Sequence, residues 1–375
     1  MNQALRRVCV IGTGSFLPNE PVPNDRLEAV LGPLDAAPPR VKSFVQNIAP
    51  KILENTCVKF RHFAIDPVSH DLTHTYASLA EEAAKRALDA AGKKPEEVDL
   101  LILSSPSYDN STPPTSTLLQ ERLGIEHCAE MEIHSNCSGV GKAMQVAYDA
   151  LRLGRYRTAL VSYAQLSSVY LRSSYLNQTR MTKTQAALRY ILADGAGSVL
   201  LEAKEDSNGR TADHEILGTY VESVGAKRTP GMFAGGGVAD LVSNDKQIPH
   251  MWDTGSHHLD QDFNAVNHDA VVLLAEGCKR ALAQLGLCPG DIDHFVLSIP
   301  GRHMYDSSME LMAEFGTTPE RARFRGEKTG YCGGASVLLH FDEMVRCGEI
   351  RPGQTAMMYS VESSKWMSAG FAVRW

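Results

Sequence analysis

The chain has 375 residues, 43% hydrophobic and 22% charged, enough apolar material for a core larger than one ordinary domain holds. Its formal net charge of −7 argues against a nucleic-acid or anionic-membrane partner. It contains no run of about 18 apolar residues, so no bilayer span is expected.

Near the N-terminus, Val8 to Ile11 is a short apolar run closed by glycines, which predicts a first strand rather than a leader. Gly12-Thr-Gly14 lacks the third glycine of a dinucleotide fingerprint and reads as a turn. Residues 80–106 predict an amphipathic helix ending at Gly92, a proline-acidic turn and an apolar strand, Val98 to Leu103. Such a continuous apolar strand suits a sheet covered on both faces. The run Cys128 to Ile133 then leads into Asn136-Cys137-Ser138-Gly139, where a helix begins, followed after Gly154 by strand Thr158 to Tyr163.

Asp194-Gly-Ala-Gly197 lacks the lysine of a phosphate loop and reads as a tight turn before strand Ser198 to Glu202. Lys204 to Arg210, with its Asn208-Gly209 pair, predicts a connection. Residues 225–262 are rich in glycine, histidine and aspartate. They read as a long surface loop, either lining an entrance or solvated and without a role.

From residue 275 the chain repeats itself. Lys85-Arg86-Ala87-Leu88 recurs as Lys279-Arg280-Ala281-Leu282, and Gly92, Pro95, Asp99 and Pro106 recur as Gly286, Pro289, Asp293 and Pro300, all at the same interval of 194 residues. Tyr331-Cys332-Gly333-Gly334 repeats the earlier cysteine junction, and Thr355 to Tyr359 the strand behind it. The repeat predicts an α/β chain of two halves, 1–205 and 210–375, packed about a pseudo-twofold axis.

Eight cysteines stand at positions 9, 57, 128, 137, 278, 288, 332 and 347, with no CxxC pair. That pattern speaks against a disulfide framework or structural zinc, and for a reducing cytoplasm. Seven read as small core residues. Cys137 is the candidate nucleophile, because a thiol at a helix N-terminus is expected to have a lowered pKa. Ser135, Ser138, Gly139 and Gly141 around it leave backbone amides free for an oxyanion. Cys332 has the same context, and local sequence does not choose between the two.

His134 lies three residues before Cys137 on a strand, so the two side chains are expected on opposite faces. His257, His258 and His268 have no metal-ligand spacing, and no metal site is expected. Arg152, Arg155 and Arg157 either receive a phosphate or form a solvated helix end.

These stretches together resemble the ketoacyl synthase III family, the condensing enzymes that begin fatty-acid and some polyketide chains. The matching segments are Ile11-Gly-Thr-Gly-Ser-Phe-Leu-Pro18, residues 80–106, Ser111-Thr-Pro-Pro114, Asn136-Cys-Ser-Gly139, Ala193-Asp-Gly-Ala-Gly-Ser-Val199 and the second-half helix and strand. The resemblance implies a thiolase-like α/β fold with a five-layered α-β-α-β-α core, a homodimer, and Cys137 as the acylated residue. It also implies an acyl carrier protein or coenzyme A thioester as donor and no further cofactor. The family's tryptophan for the coenzyme A adenine has no counterpart at residues 42–60, which favours a carrier protein.

The chain departs from that family at its catalytic pair. The family's histidine falls on Ser298, its asparagine on Tyr331, and its C-terminal glycine-rich loop on Glu362-Ser-Ser-Lys365. In the family the histidine and asparagine hydrogen-bond a malonyl thioester carbonyl as carbon dioxide leaves, a paired geometry that serine and tyrosine do not reproduce. Ser298, Tyr331 and Ser364 are therefore expected to contact substrate.

His303-Met-Tyr-Asp306 supplies a replacement base, with Asp306 orienting His303 from the same helix face. A cysteine, a histidine and an acid suit acyl transfer. This resembles the divergent branch of the family that moves acyl groups onto hydroxyls or amines in antibiotic biosynthesis. The expected activity is transfer of an acyl group from a thioester, through Cys137, to an oxygen, nitrogen or sulfur acceptor of a small molecule or second carrier, without decarboxylation. The alternatives are a decarboxylating 3-oxoacyl synthase and a non-catalytic partner subunit of a condensing pair.

Overall fold

The apolar runs of the sequence become the strands of one large mixed sheet. The structure is a computed structural model that describes residues 5–205, 214–241 and 248–375. Its main strands are β1 (Arg7–Phe16), β2 (Leu100–Ser105), β3 (Ala129–His134), β4 (Thr158–Gln165), β5 (Gly195–Lys204), β6 (Glu215–Ser223), β7 (His294–Ser298), β8 (Thr355–Glu362) and β9 (Met367–Arg374). Among the described residues their order is β7-β8-β9-β6-β1-β5-β4-β2-β3. β2 runs parallel to β3 and β4, and β7 parallel to β8, while the remaining pairs are antiparallel. The two parts of the sheet meet where Cys9 of β1 pairs with Glu215 of β6.

Five helices build the layers: α1 (Tyr76–Ala91), α2 (Gly139–Arg152), α3 (Val271–Leu285), α4 (Arg302–Ala313) and α5 (Ala335–Arg346). α2 packs against β2 and β4 on one side and β6 and β9 on the other; α5 packs against β1 and β5 and against β7 and β8. These two helices therefore form a central layer. α1 covers β1, β4 and β5 from outside, and α3 with its neighbour α4 covers β6, β8 and β9. The result is the expected five-layered thiolase-like fold.

The strand period of two explains why β2 is apolar throughout. Leu100 and Ile102 face the central core, while Leu101 and Leu103 face the outer core under α1. Each strand of this kind buries both faces, which is why the sequence shows no alternation there.

Several local expectations change. Gly12 and Gly14 lie inside β1 rather than in a turn. A Cβ on Gly14 would stand 2.3 Å from the carbonyl oxygen of Ala83, so the glycine lets α1 lie directly on the strand. Gly195 to Gly197 belongs to β5, and Asp194 before it is a buried staple that accepts the backbone amides of Ala64 at 2.7 Å and Ser168 at 2.9 Å.

The stretch 225–262 is not structureless: Met232–Ala234 pairs with Leu259–Gln261, and Ile248–Thr254 is a short helix. Residues 242–247, like the predicted Asn208-Gly209 connection, lie outside the described residues. Three of the seven cysteines expected in the core, Cys57, Cys288 and Cys347, are exposed, and all eight are free thiols. Among the described residues no helix is long and apolar enough to cross a membrane, and no cluster of three His, Cys, Asp or Glu side chains suits a metal.

Candidate active site

The carboxyl ends of several strands converge on one crevice, the usual place for a ligand in such sheets. β4 ends at Gln165, β7 at Ser298 and β8 at Glu362, while Cys137 sits in the turn from β3 into α2. All four line a cavity of about 810 Å³, together with Tyr331 and Ser364. Much of its remaining wall is apolar, including Phe44, Ile52, Phe263, Val266 and Leu274. The ribbon within 225–262 contributes Met232, Phe233 and Leu259, so of the two readings of that stretch the lining role holds.

Cys137 and Tyr331 are the centre of the site. The thiol sulfur lies 3.0 Å from the Tyr331 hydroxyl. Ser298 Oγ lies 3.5 Å beyond that hydroxyl and donates its own proton to the Gly333 carbonyl at 2.7 Å. The backbone holds Tyr331 in place: it bridges to Leu192, and the Ala193 amide donates to its carbonyl at 2.9 Å. Burial pushes the Tyr331 phenol well above its ordinary value, so it keeps its proton, and either the hydroxyl or the thiol can be the donor in this contact.

The thiol does not follow the sequence expectation. Burial pushes Cys137 up to about 12, the Tyr331 hydrogen bond opposes this, and the Glu362 charge adds to it. At neutral pH the thiol form therefore predominates. Burial is the largest cause, and the Glu362 contribution has a visible origin at the start of α2, where Glu362 Oε2 accepts the Ser138 amide at 3.3 Å. A carboxylate, not the sulfur, holds the helix N-terminus. Glu362 is 3% exposed. Its burial raises its pKa, but Lys142 and the hydroxyls of Ser135, Ser138 and Ser364 outweigh that and hold it below the usual carboxylate value. Sequence reading missed Glu362, whose only signal was a carboxylate where the family resemblance expects a glycine-rich loop.

The other expected residues divide. His303, in the first turn of α4, lines the cavity and has no hydrogen-bonding partner among the described residues. Asp306 does not orient it: the carboxylate accepts the Arg302 guanidinium at 2.8 Å, and the residue is not part of the cavity wall. The i,i+4 cation wins over the i,i+3 imidazole because it brings a full opposite charge.

His134 also lines the cavity, contrary to the expectation that it faces away. Its Nε2 donates to the Pro106 carbonyl at 2.9 Å, which leaves Nδ1 as an acceptor. Cys332 is fully buried, its thiol donates to the Asp194 carbonyl at 3.2 Å, and it lies outside the cavity wall. The Arg152, Arg155 and Arg157 cluster is absent from that wall as well. Arg155 and Arg157 line a separate open cleft beside Asp99, at the start of β2.

Comparison with known proteins agrees with this architecture. The family model described as 3-oxoacyl-[acyl-carrier-protein] synthase III matches residues 131–223, and that of its C-terminal part matches residues 282–375. A beta-ketoacyl-[acyl-carrier-protein] synthase III of Rhodospirillum centenum is 30% identical over 369 residues, spanning 98% of this chain and 99% of the relative. Among solved structures, AbyA1, a tetronic acid condensing enzyme, superposes with a TM-score of 0.76 at 27% identity, covering 98% of this chain and all of the other. The 3-oxoacyl-(acyl carrier protein) synthase III of Pseudomonas aeruginosa superposes with a TM-score of 0.76 at 21% identity, covering 99% and 98% of the two chains. With the fold, the site at the strand ends and a full-length relative in agreement, the chain belongs to the 3-oxoacyl-[acyl-carrier-protein] synthase III family of condensing and acyl-transferring enzymes.

Proposed function

We propose that the protein moves an acyl group from a carrier-protein or coenzyme A thioester, through Cys137, to an oxygen, nitrogen or sulfur acceptor without decarboxylation. The observation that carries this reading is the Cys137 thiol at 3.0 Å from the Tyr331 hydroxyl, with Ser298 in the position of the family's histidine. An enolate formed from a malonyl group needs two donors at its oxygen. Ser298 commits its proton to the Gly333 carbonyl and the Tyr331 hydroxyl is engaged with the Cys137 sulfur, so the pair does not present two free donors to an enolate oxygen. That arrangement suits a thioester carbonyl attacked by sulfur more than an enolate.

In the first half-reaction the Cys137 sulfur bonds to the donor's carbonyl carbon as its proton passes to His303. The carrier sulfur then leaves and takes that proton. In the second, the acceptor heteroatom attacks the acyl-enzyme, gives its proton to His303, and the Cys137 thiol is restored. The relative named for tetronic acid condensation supports a place in secondary metabolism. β3 ends the sheet with a free edge and Met131 exposed upon it, which supports a homodimer formed by pairing of two copies. The free thiols suit a cytoplasmic setting.

The test is direct. With an acyl thioester, the intact protein gains one acyl mass. With a malonyl thioester added, carbon dioxide release stays at the level of a protein-free blank, and release in step with acyl turnover overturns the reading in favour of a decarboxylating synthase. His303→Ala slows deacylation by about 10²–10⁴-fold, as loss of a general base does. An unchanged rate moves that role to His134, tested in parallel as His134→Ala.

A further inference from the structure

A buried carboxylate at the edge of the site takes no part in the steps above. Glu362 is the last residue of β8, and it reaches across to the turn that carries Cys137. Its Oε2 accepts from Ser135 Oγ at 2.6 Å, from Ser138 Oγ at 2.5 Å and from the Ser138 amide at 3.3 Å; its Oε1 accepts from Ser364 Oγ at 2.5 Å. Lys142, one turn into α2, stands 3.9 Å from Oε2 and donates to Ser135 Oγ at 2.7 Å. Ser135 and Ser138 bracket Asn136 and Cys137, so one carboxylate grips the nucleophile turn on both sides.

An anion at a helix N-terminus is stabilised by the unpaired amides there, and a cysteine placed at such an end normally gains that stabilisation as thiolate. In this chain the place is taken. We propose that Glu362 is a positioning residue that occupies the N-terminus of α2 in place of a thiolate, clamps Ser135 and Ser138 around the nucleophile, and holds the Cys137 sulfur beside Tyr331 in the resting enzyme. The proposal rests on Cys137 being the nucleophile and is indifferent to the acceptor. The titratable and charged groups around the sulfur are Tyr331, Tyr163 and Glu362, with Lys142 behind Glu362 and His134, Tyr170, Lys183 and His303 on the cavity wall. The upward shift of Cys137, to which the Glu362 charge contributes, agrees in direction.

The consequence is a thiol whose reactivity is restrained by a removable charge, and it can be read without any acyl substrate. Alkylation by iodoacetamide, located at Cys137 by peptide mass and followed from pH 6 to 10, reports the thiolate fraction. Glu362→Gln keeps the shape and removes the charge. It is expected to speed alkylation at pH 8 by about tenfold, equivalent to a profile moved about one pH unit down. Glu362→Asp, which keeps the charge, stays near the wild-type profile. Lys142→Met leaves the carboxylate less compensated and moves the profile the other way, with slower alkylation.

The exposed Cys57, Cys288 and Cys347 serve as internal controls and are expected to react alike in all variants. A Glu362→Gln profile that superimposes on wild type overturns the proposal. So does a Lys142→Met shift in the same direction as Glu362→Gln, since that pattern means loosening rather than charge. If Glu362→Gln fails to fold, the Lys142→Met profile decides alone, and no upward shift overturns it. Absence of an acyl adduct on Cys137 would remove the acyltransferase reading while leaving this result intact.

Discussion

Replacing Cys137 with alanine is expected to abolish acylation, with the intact mass unchanged after incubation with an acyl thioester and turnover reduced by roughly 10⁵–10⁶-fold, the loss typical of a removed covalent nucleophile. The thiol is the only cysteine on the wall of the cavity among the described residues. Its rival from the repeat, Cys332, is fully buried with its proton given to the Asp194 carbonyl. Cys57, Cys288 and Cys347 are exposed and provide a background of adventitious acyl exchange that the alanine variant leaves in place. A site-mapped adduct that survives Cys137→Ala within the cavity would refute covalent catalysis at this residue.

Tyr331→Phe is expected to have the second-largest effect. The ring stays and the cavity keeps its shape, but the sulfur loses the hydroxyl at 3.0 Å. Removing one preorganised donor of this kind costs about 10²–10³ in rate. The acylation half-reaction, timed by acid quench and mass, is therefore expected to slow by that factor. The hydrogen bond from Tyr331 opposes the effect of burial on Cys137, so its loss raises the thiol further and moves the alkylation profile to higher pH. Ser298→Ala is expected to do less, because its hydroxyl lies 3.5 Å from Tyr331 and is engaged by Gly333. Equal acylation rates for Tyr331→Phe and wild type would mean that the hydroxyl is a packing contact only.

The sequence made much of this legible for a physical reason. Strands buried on both faces read as continuous apolar runs, and helix ends carry glycine, so the repeat at 194 residues displayed the layer order twice. The cysteine junction was visible because a strand-to-helix turn in a crowded place demands small residues. The Cys137–Tyr331 contact joins the cysteine junctions of the two repeats, Tyr331 standing beside Cys332, the counterpart of Cys137. Local pattern could not reveal that contact, because it depends on how two distant turns face each other.

The failures have the same origin. Asp306 was assigned to His303 from helical spacing, yet Arg302 on the same helix offered a full charge at the preferred i,i+4 position. His134 was turned away by strand alternation, which ends with the strand itself at His134. Cys57, Cys288 and Cys347 were placed in the core by composition, which says nothing of which helix end or turn a residue occupies.

By itself, then, the sequence determined the layered α/β arrangement, written in the periodicity of short segments, while its resemblance to the family singled out Cys137 as the candidate nucleophile and showed the histidine and asparagine to be missing. Only the tertiary structure decided the burial of the thiol, the hydroxyl that faces it and the carboxylate that grips its turn. Those depend on burial and on charges brought together across 194 and 224 residues of chain. In a buried site, electrostatics follows distance in space, which no local stretch of sequence encodes.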